Sequence, residues 1–322
     1  MSAALTLAIP SKGRLQEQVQ DYFADAGLAM KKAAGARGYR ATLAGFPDVD
    51  VMLLSASEIA AALLNGDVHL GVTGEDLIRE ESVTLDGRVT LIKKLGFGHA
   101  DVVVAVPQAW IDVATMADLD DVCAAFYQRH RRRLRVATKY VTLTRAFFAK
   151  AGIADYRIVE SAGATEGAPS SGAAEAIVDI TSTGATLAAN GLKVLDDGVI
   201  LQSQAQLAAS LTAQWSESAR KTAEMLLSRL AARERAKASL VLRAKLNGDA
   251  EKIIASVTKD ASAKILSRPA SGEGEYSILC PRGELMNAIA ILRAQGSDVT
   301  AQEVDYVFQN DDPLLAVLAS LR

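Results

Sequence analysis

The chain has 322 residues, half of them hydrophobic and 23% charged, with a formal net charge of −3. That length supports two or three domains with real cores, and the charge content and mild acidity exclude a disordered chain or a protein built to coat nucleic acid. No apolar run approaches the roughly 18–20 residues of a membrane span, and the opening MSAALTLAIPSKGRL lacks the basic and apolar regions of a signal peptide; a soluble cytoplasmic protein is expected.

Short β-branched runs alternate with helical patterns. Residues 5–9 read as a buried strand, followed by a polar SKGR turn and an amphipathic helix over 15–26 that stops at Gly27. A second strand is expected at 49–54, then a helix from about Glu58 capped by Ser57, and a third strand at 68–73 with Gly74 at its end. This is the rhythm of a parallel sheet with crossover helices. A second α/β set follows: strands at 102–106, 134–137, 157–159 and 176–180, a short helix opening at 116–119 and a helix over 142–152. Residues 203–238 read as one long spacer helix. The tail then has a β-α-β-β-α-β order, with strands at 239–243, 264–267, 276–280 and 299–308 and helices at 249–258 and 284–295, which fits a ferredoxin-like module.

Cys123 and Cys280 stand apart, without a cysteine or histidine at metal-ligand spacing, and read as buried reduced thiols. With three histidines, the chain has little material for a histidine-based triad or metal centre. Chemistry has to come from backbone cradles, carboxylates and cations.

The best candidate is Asp179-Ile-Thr-Ser-Thr-Gly-Ala-Thr186, where a buried strand runs into a Ser/Thr/Gly loop that opens a helix. Free N–H groups and the positive end of a helix suit phosphate there. Gly184 allows close backbone approach, and Thr181, Ser182, Thr183 and Thr186 add hydroxyls. Asp179 suits a ribose hydroxyl or a magnesium-bound water. A plain capped turn is the competing reading.

Ser11-Lys-Gly-Arg14 follows the first strand, so Lys12 and Arg14 stand at the sheet end where ligands bind and can neutralise phosphate, Arg14 in bidentate fashion; a solvated basic turn is the alternative. Gly74, Glu75 and Asp76 sit after the third strand, where the acids can accept hydrogen bonds from a base or sugar or simply favour a helix start. Lys139 and Tyr140 follow another strand, and Glu166 is the lone acid of the loop SAGATEGAPSSG. The basic run Arg129–Arg133 has no interleaved aromatics and reads as a solvated loop or helix end.

Together IPSKGRL, LGVTGEDLI, RVATKY, GATEGAP and DITSTGATLAANGL resemble the ATP phosphoribosyltransferase family in its long form, in order, over roughly residues 5–200. The tail is similar to that form's ACT-like domain by element order and by LRAQGSDV. The resemblance implies an α/β fold with a two-lobed, periplasmic-binding-protein-like catalytic core and a C-terminal ferredoxin-like, ACT-like α+β regulatory domain. Residues 1–100 and 192–232 would form lobe I, 101–191 lobe II with the phosphate loop, and 236–322 the regulatory domain. It implies condensation of ATP with phosphoribosyl pyrophosphate (PRPP) to N1-(5-phosphoribosyl)-ATP and pyrophosphate, the first step of histidine biosynthesis, with histidine as feedback inhibitor. Carried across by position, Thr181, Ser182, Thr183, Gly184, Ala185 and Thr186 would bind the PRPP 5-phosphate and Asp179 the ribose hydroxyls. Glu166 would be Asp179's partner carboxylate. Lys12, Gly13, Arg14, Gly74, Glu75 and Asp76 would line the cleft from one lobe, and Lys139 and Tyr140 from the other. Mg2+ would be held mainly by substrate phosphates, with Asp179 or Glu166 as protein ligands. A homo-oligomer, dimer or hexamer, is implied, with neither nucleic acid nor membrane as partner. A non-catalytic two-lobed small-molecule-binding module is the alternative that the α/β pattern also allows.

Overall fold

The computed structural model describes residues 5–32, 39–85, 87–161, 163–246, 249–270, 272–294, 296–309 and 313–318; Ala162 of the glycine-rich loop and Gln295 at the end of the expected tail helix lie outside them. The chain divides into two compact units. The first takes the described residues up to 22 and from 29 to 220; the second takes 23–28 and the described residues from 221 onward.

The first unit holds two mixed sheets, here called lobes I and II. In lobe I the strands run Met30–Lys32, Arg40–Leu43, Phe46–Leu54, Leu5–Pro10, Leu70–Gly74, Ala205–Ser210, Val89–Lys94 across a seven-stranded sheet. Leu5–Pro10 is parallel to both of its neighbours, and Ala205–Ser210 is antiparallel to both of its own. The central strands are apolar because both faces are covered. The helix Ala56–Asn65 starts at a capping box, in which Ser55 and Glu58 satisfy each other's backbone N–H, and ends at Gly66 in the left-handed conformation. Its face carrying Ile59 and Leu63 is wholly buried, each such side chain contributing about 1.5–3 kcal/mol. Gly71 is required by that packing, since a Cβ there would collide with Ile59 and Leu63.

Lobe II is a five-stranded sheet in the order Leu192–Ser203, Ala100–Pro107, Ala176–Thr181, Leu134–Thr138, Tyr156–Glu160. The last three are parallel, and the first three are antiparallel to one another in sequence across the sheet. Val102, Val104, Val106, Val136 and Val178 alternate onto one buried face against Phe148 and Leu119. The chain crosses from lobe I to lobe II between Lys94 and Ala100 and returns between Ser203 and Ala205. The two crossings are tied together: Ala205 N–H donates to Phe97 O at 3.0 Å, Leu95 N–H to Ala205 O at 3.0 Å, and Gly96 N–H to the Gln204 side-chain oxygen at 3.0 Å.

The second unit contains a β-α-β-β-α-β run: Ser239–Leu246, Ala250–Asp260, Lys264–Ser267, Gly274–Pro281, Leu285–Arg293 and Val299–Gln302. Its sheet is antiparallel, with the fourth strand beside the first, then the third, then the second. Leu242, Ile254, Val257, Ile278 and Leu292 fill its core.

Several expectations need correction. Ser55, not Ser57, caps the second helix. The element opening at Met116 is a fifteen-residue helix, Met116–His130, started by a Thr115–Asp118 capping box. Residues 203–238 are not one helix: Leu192–Ser203 and Ala205–Ser210 are strands, and the helix is Glu217–Ala238. Residues 192–203 therefore belong to the lobe II sheet, and lobe I resumes at Ala205. The last strand of the tail ends at Gln302 rather than 308. Cys123 and Cys280 are buried free thiols, the Cys123 pKa pushed up to about 12 by burial and by Asp120 and Asp155. No helix among the described residues is long and apolar enough to cross a membrane.

Candidate active site

Gly13, Gly74, Lys139, Ser161 and Ser182 all stand at or just beyond the carboxyl ends of strands that pair in parallel, the place where open α/β sheets bind ligands.

The strand Ala176–Thr181 delivers Asp179 half-buried, and its Oδ1 accepts the Ile180 N–H at 2.8 Å. Burial raises the Asp179 pKa above the usual carboxylate value; the Ile180 N–H and the Lys139 ammonium pull it back, and the Glu166 carboxylate pushes it up. Lys139 and Glu166 therefore lie within electrostatic reach of Asp179, although one follows a different strand and the other sits in the short turn Thr165–Gly167. Lys139 is exposed, its Nζ 4.9 Å from the centroid of the Tyr140 ring.

Beyond Asp179 the loop holds its own shape. Thr181 Oγ1 accepts the Gly184 N–H at 2.8 Å, Thr183 Oγ1 accepts the Ala185 N–H at 3.3 Å, and Ser182 Oγ donates to His99 O at 3.1 Å. Gly184 has φ +74, and a Cβ there would meet open space, so the glycine serves backbone conformation. Ser182, Thr183, Ala185 and Thr186 are exposed, while Leu187 is buried and anchors the five-residue helix Ala185–Ala189. A cleft of about 490 Å³ brings Arg14 and Gln18 of the first helix together with Phe97 and His99 of the crossing and Ser182 of the loop. It joins a cation of lobe I to the hydroxyl loop of lobe II. Lys12 is exposed beside it in sequence, and Gly13 has φ +78.

Glu75, Asp76 and Tyr140, expected to line the cleft, are buried. They are 6%, 5% and 1% exposed. Glu75 accepts from Arg79 and from Gln206, each at 2.7 Å, and Asp76 accepts from Tyr140 Oη at 2.7 Å and from Ser203 Oγ at 2.8 Å. Burial, then the Asp76 charge and hydrogen bond, drive the Tyr140 pKa upward. Ser203 and Gln206 carry no signal in the sequence because they fall in a segment that reads as helix.

The family model for ATP phosphoribosyltransferase matches residues 55–232, more than half of the chain. A curated ATP phosphoribosyltransferase of Rhodopseudomonas palustris (strain HaA2) is 54% identical over 321 residues, covering 99% of each chain. One from Bradyrhizobium diazoefficiens is 55% identical over 319 residues, 99% of this chain and 98% of that one. The chain belongs to the ATP phosphoribosyltransferase family.

A solved structure of an ATP phosphoribosyl transferase (HisG:HisZ) complex from Thermotoga maritima is similar in fold, with TM-score 0.54 and 23% identity over 70% of this chain and 95% of that chain. A second cleft of about 510 Å³, walled by Trp110, Val113 and Phe126, shares no residue with the Asp179–Thr186 loop. The basic run Arg129–Arg133 covers the end of the helix Met116–His130; Arg132 pairs with Glu175 and Arg133 with Asp155, all three of Arg131–Arg133 being exposed.

Proposed function

We propose that the enzyme carries out its reaction, condensation of ATP with PRPP to N1-(5-phosphoribosyl)-ATP and pyrophosphate, in the cleft between Arg14 and the Asp179–Thr186 loop. The observation that carries this placement is the grouping of Asp179, Glu166 and Lys139 beside an exposed hydroxyl loop that shares a cleft with Arg14. Displacement at an anomeric carbon passes through an oxocarbenium-like state and needs no protein nucleophile. The protein has to hold adenine N1 behind C1 and stabilise the departing charge.

In this reading Thr181, Ser182, Thr183, Gly184, Ala185 and Thr186 hold the 5-phosphate. Asp179 holds the ribose hydroxyls, and Glu166 faces the same ring. Lys12, Gly13 and Arg14 meet the pyrophosphate from lobe I, and Lys139 approaches from lobe II. The described residues bring together no group of three His, Cys, Asp or Glu side chains. The carboxylate oxygens of Asp179 and Glu166 suit a hard cation held mainly by substrate phosphates, as Mg2+ is. When bound, Mg2+ neutralises charge on the departing pyrophosphate.

The strand order of the second unit supports reading it as a ferredoxin-like, ACT-like regulatory domain, with histidine as effector, in a cytoplasmic homo-oligomer with a periplasmic-binding-protein-like core. Purified enzyme with ATP, PRPP and Mg2+ is expected to release pyrophosphate and build up product absorbance, and added histidine to slow it. Folded protein without turnover would overturn the placement, and indifference to millimolar histidine would remove the effector.

A further inference from the structure

The helix Glu75–Glu81 of lobe I reaches across to lobe II. Its Leu77, with Val83 just beyond it, packs against the apolar core of lobe II, although the helix follows a lobe I strand. Three polar grips surround that contact. Asp76 uses both carboxylate oxygens, Oδ2 accepting from Tyr140 at 2.7 Å and Oδ1 from Ser203 at 2.8 Å, while Ser203 Oγ accepts the Asp76 N–H at 3.0 Å. Glu80 accepts the N–H groups of Thr142 at 2.8 Å and Leu143 at 3.1 Å, so a lobe I carboxylate caps the lobe II helix Val141–Lys150. Gly74 completes the arrangement: a Cβ there would collide with the Asp76 carboxylate, which folds back over it.

Position gives these contacts their meaning. Ser203 is the last strand residue before the chain returns to lobe I, so Asp76 grips the crossing itself. Tyr140 is buried and follows Lys139, whose ammonium lies over its ring. A carboxylate with both oxygens engaged in a buried site holds its partners firmly, because releasing either leaves charge unsatisfied.

We propose that Asp76, Tyr140 and Ser203 form a clasp between the lobes. Asp76 and Tyr140 are positioning residues that set the angle between the lobes and hence how Lys139 and Asp179 face Arg14 across the cleft. They act on turnover without touching substrate. This rests on the cleft being the catalytic site.

The test uses full-length Tyr140→Phe, which loses one hydroxyl. Its kcat is expected to fall about tenfold or more, the factor carried by a hydrogen bond to a charged group, with the KM values for PRPP and ATP moving together by less than threefold. Hydrogen exchange should quicken in both Glu75–Glu81 and Val141–Lys150. Gly74→Ala removes no hydrogen-bonding side chain yet displaces Asp76, and the double variant should be no worse than the poorer single one. Ser203→Ala, a milder cut at the same carboxylate, should show the same pattern at smaller size and serves if Tyr140→Phe does not fold. A rise in KM for one substrate alone would put the Tyr140 hydroxyl on that substrate and overturn the clasp. So would unchanged kcat with unchanged exchange, or additive losses in the double variant. Exchange reads the clasp without turnover, so quickened exchange with unaltered kinetics would keep the contact and overturn its role in positioning the cleft, whereas wild-type rates in Asp179→Asn would overturn the placement of the cleft itself.

Discussion

The turn Gly74–Asp76 and the loop Asp179–Thr186 start from the same grammar. Each stands at the end of a strand, carries glycine and at least one acid, and opens a helix. In the folded chain they have opposite fates. The lobe I turn is buried, with both acids engaged by Arg79, Gln206, Tyr140 and Ser203. The lobe II loop is exposed, shaped by two hydroxyl-to-backbone bonds of its own and held by one buried leucine. A strand-turn-helix becomes a clasp when another element brings donors over its acids, and stays open when its hydroxyls turn back onto its own backbone.

The sharpest way to break that comparison is Asp179→Asn. It is expected to lower turnover or PRPP affinity at least tenfold, and wild-type initial rates would remove Asp179 from the site. Gly184→Ala comes next. Holding a Cβ at φ +74 costs about 1–2 kcal/mol, so the PRPP KM should rise about fivefold and Tm should fall by only about 2–4 °C; an unchanged KM would mean the loop's shape does not serve phosphate. Because nothing packs near that Cβ, the effect differs in kind from the collision at Gly74.

Electrostatics gives two smaller effects. Asp179 is raised above its ordinary value by burial, with Glu166 adding to the rise, so the acid limb of kcat/KM for PRPP should lie above that of an ordinary aspartate. Glu166→Gln removes the like charge and should move the limb to lower pH; an unmoved limb in the residual activity would separate the two acids. Glu175 braces the two strands that carry Asp179 and Lys139. Burial works to raise its pKa, but hydrogen bonds from Arg135, Arg132 and a backbone N–H prevail and lower it to about 2. A depressed carboxylate stabilises the fold above its ordinary value of about 4.3 and loses that contribution as pH falls through about 2. Glu175→Gln should therefore cost about 2 kcal/mol at pH 7 and almost nothing near pH 2, read from denaturant midpoints; a pH-independent loss would assign it to packing.

Much of the frame was legible. The strands ending at Pro10, Pro107, Thr138 and Thr181 show as short apolar runs before polar turns, and the tail's element order shows in its alternating pattern. The strands Leu192–Ser203 and Ala205–Ser210 did not show. AQLAAS has helix-forming composition, yet it is wholly buried between two strands of lobe I, where ladder bonds and packing on both faces outweigh propensity. That miss hid Ser203, and with it the clasp.

The sequence by itself determined the family, the Ser/Thr/Gly loop after Asp179 and the places where strands end, because these depend on residues close together in the chain. Only the tertiary structure decided which acids are closed off by hydrogen-bond donors. Asp76 and Tyr140 are 64 positions apart, and Asp76 and Ser203 are 127 apart. Whether a carboxylate is free for a ligand depends on donors that the fold alone brings to it.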